Sequence, residues 1–185
     1  MLFLVGIIIF IFTFFFVYTT WSAAPFIPTH ASEVDALIGL TNFSEDDVVY
    51  ELGSGDCRLL IAAVIAGAGR GVGLELNPFL VWWGRWRVWR AGMSDKISVR
   101  FADAWRAELC DATVVITFWF GSRMEKLRDK LRRELRPGTR VLSYAFRFPE
   151  MKPVAQNRAA FLYVFGFGDS SKGDSSKSPN FRGQF

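Results

Sequence analysis

Short apolar runs alternate with longer amphipathic stretches from Val48 onwards. The short runs predict strands, at 48–52, 71–76, 97–101, 112–120 and 140–146. The stretches between them predict helices, at 59–68, 78–93 and 122–136. Strands separated by helices in this rhythm indicate βαβ units and a mainly parallel sheet with helices on both faces. A closing strand is predicted over 159–167, and Ser32 is placed to cap a short helix over 33–40.

The chain begins with an uncharged, strongly apolar run over residues 2–21. About 20 helical residues at 1.5 Å each match the ~30 Å hydrocarbon core of a bilayer, so the run predicts a transmembrane helix. A cleaved signal peptide is the alternative, although no basic segment precedes the run. The predicted organisation is a transmembrane anchor at 1–24, one globular domain at 25–168 and a disordered, Gly/Ser-rich tail at 169–185.

Composition narrows the class of protein. A chain of 185 residues, 51% of them apolar, supports one core. Two cysteines without metal-type spacing and a single histidine argue against a disulfide framework and a zinc site, so no metal is expected. The net charge of +4 is uneven, because no Lys or Arg precedes Arg58 and residues 123–136 are strongly basic. Such a surface either attracts an anionic partner or is a solvated helix face.

The first predicted strand ends in the sequence VVYELGSGDC, which places Gly53 and Gly55 in a tight turn. In a doubly wound sheet this turn is the usual place for a ligand. A dinucleotide fingerprint would need a third glycine where Arg58 stands, so a nicotinamide oxidoreductase is the weakest interpretation. The carboxylate of Glu51, next to the turn, instead favours a cationic ligand with an amino group and a sulfonium, such as S-adenosylmethionine.

Two further acids follow the next two predicted strands. Glu75 ends the second strand, where a carboxylate can accept hydrogen bonds from both ribose hydroxyls. Asp103 follows the third strand and can meet the edge of an adenine. Each acid alone is compatible with a surface carboxylate or a helix cap, but acids at three successive strand ends indicate one adenosyl site.

The motif ELGSGD, taken with Glu75 and Asp103, resembles motifs I to III of the class I S-adenosylmethionine-dependent methyltransferases. More narrowly, PFIPT, ELGSGDCR, GLELNPFLVWW and ELRPGTRVLSYAF resemble the small membrane-associated protein lysine methyltransferases that modify the ATP synthase c-subunit and adenine nucleotide translocase, and their prokaryotic relatives. The resemblance implies a single Rossmann-like domain that uses S-adenosyl-L-methionine.

The same resemblance assigns cofactor contacts to nine residues, namely Pro28, Thr29, Glu51, Gly53, Ser54, Gly55, Glu75, Asn77 and Asp103. Pro28 and Thr29 belong to the PFIPT segment that lies over the cofactor in that family. Cys57 departs from the pattern, because the family usually has glycine there. A Cβ at this position is expected to crowd the methionine part of the ligand.

Methyl transfer needs positioning and exclusion of water rather than a covalent nucleophile, so no catalytic residue is assigned. After the fourth strand the chain lacks the Asp/Asn-Pro-Pro-aromatic turn of many nucleic-acid amino-methyltransferases, and no nucleic-acid partner is expected. Phe118, Trp119 and Phe120 stand there instead and are predicted to line a channel for an aliphatic ammonium. Strand-end aromatic residues that fill core space are the alternative.

The predicted helix over 78–93 carries two stripes. One stripe is predicted to pack on the sheet and consists of Val81, Gly84 and Val88. The other consists of Trp82, Trp86 and Trp89, and is either part of a core or, with neighbouring arginines, a contact with anionic lipid.

The sequence thus predicts a membrane-anchored methyltransferase that modifies lysine of a protein substrate. Because the cofactor is an intracellular metabolite, the expected localisation is a single-pass membrane protein with its domain on the cytoplasmic or matrix side. A methyltransferase acting on a lipid headgroup or small amine, and a non-catalytic cofactor-binding membrane module, are the alternatives.

Overall fold

The computed structural model describes residues 31–119 and 121–166, together with positions 3, 5–7, 9, 10 and 13. The helices from residue 31 onwards are α1 (Ala31–Ile38), α2 (Arg58–Ile65), α3 (Pro78–Arg90) and α4 (Met124–Glu134), with a 3₁₀ turn at Gly121–Arg123. The strands are β1 (Val48–Leu52), β2 (Arg70–Glu75), β3 (Ile97–Phe101), β4 (Val114–Thr117), β5 (Arg140–Tyr144), β6 (Ala155–Asn157) and β7 (Ala160–Val164).

The seven strands form one sheet in the order β3-β2-β1-β4-β5-β7-β6. The pairs from β3 to β5 are parallel, whereas β7 runs antiparallel to β5 and β6 runs antiparallel to β7. The strand order reverses between β1 and β4, which is the switch point where doubly wound sheets bind ligands. The sheet positions the ends of β1, β2 and β4 side by side at that point.

The prediction of a mainly parallel sheet is corrected to a mixed sheet of Rossmann-like type. The chain reverses at Arg158, whose positive φ of 51° closes a tight turn between β6 and β7. Sequence patterning missed β6 because its three residues, Ala155–Asn157, contain no apolar run. The predicted closing strand is present as β7.

Helices cover both faces of the sheet, as predicted. Alternate residues of the strands point to opposite faces, so Val49 and Ile116 join one core with Leu60 of α2 and Val88 of α3. The opposite face is covered by α4 in a second core, whose members include Tyr50, Val115, Val141 and Leu127. Two layers of helices thereby cover the two faces of the sheet.

The predicted transmembrane helix is overturned by the structure. Among the positions that the structure describes, no helix is long and apolar enough to cross a bilayer. The prediction of a single-pass membrane protein with its domain on the cytoplasmic or matrix side is wrong on the same finding.

The two stripes of α3 separate as the periodicity predicts. Val81, Gly84 and Val88 are buried against the sheet. Trp82 and Trp89 are exposed, so the interpretation of the tryptophan stripe as core is wrong. The tryptophan side chains lie on the outer surface because the valine and glycine positions already fill the 100° or so of helix face that meets the sheet.

Candidate active site at the carboxyl edge of the sheet

The turn after β1 has left-handed backbone at alternate residues, with φ of 79° at Gly53, 50° at Gly55 and 61° at Cys57. Glycine adopts this conformation without steric cost. The backbone N–H groups of Gly53 and Ser54 donate to the carbonyl oxygen of Leu74, at 2.8 and 3.1 Å. These two bonds hold the turn over the end of β2 and keep its backbone at the carboxyl edge of the sheet.

Cys57 is a non-glycine residue in the left-handed region, and its side chain is fully buried. The sulfur lies against Gly84 of α3, where an added Cβ would come within 2.8 Å of Sγ. Glycine at position 84 therefore provides the space that the Cys57 side chain needs. The sulfur lies against α3 in the core, in the space that the missing side chain of Gly84 leaves free.

Glu51 lies near the end of β1 and is only 5% exposed. Its Oε2 atom has no hydrogen-bond partner among the residues that the structure describes. Burial, followed by the charges of Asp56 and Glu75, raises the pKa of Glu51 well above its usual value. The backbone N–H of Leu60 forms a hydrogen bond with this carboxylate. A buried carboxylate oxygen without a partner is costly, so Oε2 is suited to meet a donor or cation that the chain itself does not supply.

Glu75, at the end of β2, links the glycine turn to the start of α3 through hydrogen bonds. Its Oε2 accepts from the N–H of Gly55 at 2.9 Å, and its Oε1 accepts from the N–H of Asn77 at 2.8 Å. Burial raises the pKa of Glu75, and these backbone hydrogen bonds oppose the shift. Asn77 in turn caps α3, because its Oδ1 accepts from the N–H groups of Phe79 and Leu80.

Asp103 follows β3 and lies beside the end of β2, since β3 and β2 are neighbours in the sheet. Its Oδ1 accepts from the N–H of Trp105 at 2.9 Å, which closes a turn of the Asx type. The side chain is 35% exposed and lies 3.8 Å from Arg106. The three acids that the sequence singled out therefore lie at or just after the carboxyl ends of three adjacent strands.

Thr117 is a polar residue of this edge that sequence reasoning missed. It is the last residue of β4, is buried, and lies beside Leu52 in the parallel register. Its Oγ1 finds no hydrogen-bond partner within the described part of the chain. In the sequence VVIT, Thr117 looks like an ordinary β-branched strand residue. Only its position at the end of an apolar run could have marked it as a polar residue of the site.

Phe118 and Trp119, two of the predicted acceptor aromatics, contact different neighbours. The Trp119 Nε1 donates to the carbonyl oxygen of Leu52 at 3.1 Å, and its ring packs edge-on to Trp105 at 4.4 Å. Phe118 instead meets Tyr144 of β5, with ring centroids 5.1 Å apart. Phe120, Pro28 and Thr29 lie outside the described residues, so their predicted roles stay predictions.

A second charged cluster lies behind the glycine turn, between α2 and α3. The carboxylate of Asp56 is bound by the guanidinium groups of Arg58, at 2.6 Å, and Arg87. Burial would raise the pKa of Asp56, but the hydrogen bond from Arg58 and the charge of Arg87 outweigh it and hold that pKa below its usual value. The cluster borders a cavity of about 650 Å³ that is also lined by Trp83, Trp86 and Arg90.

Comparison with known proteins places this geometry in a family. A family model described as the ANTKMT methyltransferase domain matches residues 51–155. The ATP synthase c-subunit lysine N-methyltransferase of Mus musculus is 32% identical over 156 residues, 84% of this chain and 62% of the mouse protein. The protein-lysine N-methyltransferase of Saccharolobus islandicus is 31% identical over 151 residues, 77% of this chain and 94% of the archaeal protein.

A solved structure has the same fold over most of both chains. It is described as an RNA methyltransferase from Salinibacter ruber in complex with S-adenosyl-L-homocysteine, and it is 33% identical with a TM-score of 0.75. The match covers 80% of this chain and 99% of that chain. This chain spans about three fifths of the length of the mouse relative. The matched residues run from the end of β1 through β5 and include the glycine turn, and the chain belongs to the ANTKMT methyltransferase domain family.

Proposed function

We propose that this chain is an S-adenosyl-L-methionine-dependent methyltransferase that methylates a lysine side chain of a protein substrate. The observation that carries the proposal is the buried Oε2 of Glu51, which lacks a partner among the described residues and lies at the switch point of a methyltransferase fold. A carboxylate in this position suits the amino cation of the methionine moiety of the cofactor.

The described residues fit this cofactor on their own geometry. The turn at Gly53 and Gly55 presents backbone without side chains, and Ser54 lies over Gly73, where an added Cβ would come within 2.6 Å of its Oγ. Glu75 keeps acceptor capacity, because a carboxylate can accept about four hydrogen bonds and the backbone N–H groups of Asn77, Gly55 and Leu76 use up to three. In the proposal Glu75 and Asp103 receive the ribose and adenine, while Asn77, Pro28 and Thr29 complete the cofactor site.

The cofactor, which Glu51, Glu75 and Asp103 would hold, would supply a methyl group on a sulfonium. An acceptor lysine would first give up its ammonium proton, its neutral amine would then form the new N–C bond, and the electron pair of the broken C–S bond would leave with sulfur. The chain contributes orientation and exclusion of water. Trp119 supports this, because its bond to Leu52 holds the loop after β4 against the end of β1. No residue is assigned as a general base.

Lysine is proposed as the acceptor because the mouse and archaeal relatives both carry the name lysine N-methyltransferase. The name of the mouse relative makes the c-subunit of ATP synthase the first protein to test. The name of the archaeal relative specifies no particular protein. The two names together support a protein substrate but do not identify which protein it is.

The test is transfer of label from methyl-labelled S-adenosylmethionine to a cell extract freed of small molecules. One arm of the extract is treated with nuclease and the other with protease, and labelled protein is hydrolysed for amino-acid analysis. Methyl-lysine from the full chain, and far less from the Glu51→Gln variant, supports the proposal. Absence of label from every fraction, together with no binding of S-adenosylmethionine by calorimetry, contradicts it.

RNA is a second candidate acceptor, favoured by the description of the Salinibacter ruber structure. The outer face of α3 supports it, since the rings of Trp83 and Trp86 stack at 4.8 Å and Arg90 lies over Trp86 at 5.5 Å. Aromatic and guanidinium planes are the groups on which unpaired bases stack. Label that is sensitive to nuclease and resistant to protease would establish this acceptor in place of lysine.

A further inference from the structure

The side chain of Tyr144 contacts two others, those of Phe118 and Glu33. Phe118 follows β4 and packs edge-on against Tyr144 at the end of β5, with ring planes at 82°. The hydroxyl of Tyr144 forms a hydrogen bond with the carboxylate of Glu33, in the first turn of α1. All three side chains are partly exposed, so the cluster opens to the surface.

Tyr144 is the donor in its contact with Glu33. Burial, followed by the hydrogen bond and charge of Glu33, raises the pKa of Tyr144 to about 12. The phenol therefore stays protonated at neutral pH and donates to the carboxylate. The contact holds the Glu33 carboxylate at the hydroxyl of Tyr144.

The sheet register places this cluster next to the cofactor edge. Leu52, Thr117 and Ser143 lie side by side on β1, β4 and β5, and Phe118 and Tyr144 are the next residues of their strands. Neighbouring strands are about 4.8 Å apart, so Phe118 follows a strand about 5 Å from the end of β1 and Tyr144 ends a strand about 10 Å away.

The rings also lie on the same face of the sheet as the Glu51 carboxylate. Side chains alternate along a strand, and the core on that face contains Val49, Ile116 and Leu142, two positions before Glu51, Phe118 and Tyr144 respectively. The rings are therefore one to two strand spacings from the end of β1, where the glycine turn begins.

We propose that Glu33, Phe118 and Tyr144 form the pocket that receives the ammonium group of the acceptor lysine. Aromatic faces and a carboxylate both attract an ammonium cation. The uncharged amino group of a nucleic-acid base is not attracted to a carboxylate by charge. The inference rests on the proposed lysine methyltransferase function. It gives the acceptor a binding determinant of its own, separate from the cofactor residues.

The test uses the full chain labelled with 3-fluorotyrosine, whose four tyrosines give four fluorine resonances. Loss of one resonance in Tyr144→Phe assigns the signal of Tyr144. The protein, at pH 7 with saturating S-adenosylhomocysteine, is titrated with n-butylammonium chloride as a mimic of the lysine side chain. Uncharged n-butanol and sodium chloride serve as matched controls. A saturable shift confined to Tyr144, and given by butylammonium alone, supports the pocket.

Variants of α1 separate binding from folding. Glu33→Gln is expected to weaken butylammonium binding about tenfold and to leave the affinity for S-adenosylhomocysteine within twofold by calorimetry. Asp35→Asn is the control, because Asp35 is an exposed acid on the same helix. Both affinities are expected to stay within twofold of the parent protein in this variant.

The outcomes distinguish this inference from the proposed function. If S-adenosylhomocysteine does not bind, both are overturned. If it binds while the Tyr144 signal does not move, or moves equally with n-butanol, the pocket alone is overturned. Equal weakening by Glu33→Gln and Asp35→Asn would also overturn it, since the effect would then be one of general surface charge.

Discussion

Glu51 and Asp56 are five residues apart, on opposite sides of one turn, and each is 5% exposed. Asp56 is bound by two guanidinium groups, and its pKa is held below the usual value. Glu51 has an oxygen without a partner among the described residues, and its pKa is raised by burial and by neighbouring acids. Two carboxyl groups with the same solvent exposure thus have pKa values shifted in opposite directions.

The difference separates a structural carboxylate from a binding carboxylate. The chain supplies the counter-charges of Asp56 itself, through Arg58 on α2 and Arg87 on α3, so that acid joins the two helices. The charges that act most strongly on Glu51 are those of two other acids, and a ligand cation is what would relieve it. The comparison therefore predicts that Asp56 variants lose stability and Glu51 variants lose affinity.

The largest expected effect is on stability in Asp56→Asn. Removal of the charge leaves two guanidinium groups without their counter-ion, and breaking a buried pair costs about 3–5 kcal/mol. Because Arg58 and Arg87 are 29% and 33% exposed, the expected loss is about 3 kcal/mol, at the low end of that range. Urea denaturation measures it as a change in the free energy of unfolding.

Asp103→Asn is the matched control, since Asp103 is 35% exposed and 3.8 Å from Arg106. The expected change in its free energy of unfolding is below about 0.5 kcal/mol. If the Asp56→Asn variant is as stable as this control, the Asp56 cluster does not stabilise the fold.

Next in size is the effect of Glu51→Gln on cofactor affinity. A hydrogen bond to a charged group contributes about 1.5–3 kcal/mol, so affinity for S-adenosylmethionine is expected to fall roughly tenfold to hundredfold. The unliganded variant is expected to be as stable as the parent protein or more stable at pH 8, because an unfavourable buried charge is gone. Titration calorimetry and thermal unfolding measure the two quantities. Parallel loss of stability and affinity would instead make Glu51 a structural residue.

A pH dependence follows from the raised pKa of Glu51. A cationic ligand binds the ionised carboxylate, so affinity is expected to rise with pH, at most about tenfold per unit, until Glu51 is ionised in the free protein. Proton release is detected by calorimetry in two buffers of different ionisation enthalpy. A Glu51→Gln variant with the same slope would show that another group is responsible.

The same shift acts on stability with a definite sign. Glu51 and Glu75 both have raised pKa values in the fold, so the folded protein keeps protons that the unfolded chain releases near the ordinary value of 4.5. Stability of the unliganded protein is therefore expected to decrease as pH rises above that value, through the raised pKa values. Bound cofactor is expected to reduce this decrease.

The smallest effect concerns Cys57 and Gly84. Left-handed backbone costs a non-glycine residue about 1 kcal/mol, and Cys57→Gly removes this cost while losing a buried side chain, so stability is expected to change by less than about 1 kcal/mol. Gly84→Ala would place a Cβ 2.8 Å from Sγ and is expected to destabilise. The double variant is expected to recover about 1 kcal/mol in a mutant cycle. Additivity would mean that the two residues do not share space.

Local patterning was a good guide to the elements but not to their partners. The strands at 48–52 and 97–101 were predicted with the bounds that the structure has, because an apolar run between turn residues is a local signal. Short β6 was missed, and an apolar N-terminal run predicted a span that no described helix provides.

The chain sequence alone determined the glycine turn, the acids after three successive strands and the βαβ rhythm, since each depends on residues close together in the chain. The tertiary structure alone decided that one oxygen of Glu51 has no hydrogen-bond partner among the described residues while Asp56 is bound by two guanidinium groups, and that Glu33 meets Tyr144. The reason is physical: the partner of a buried polar group is set by strand order and helix packing, which bring together residues that are far apart in the chain.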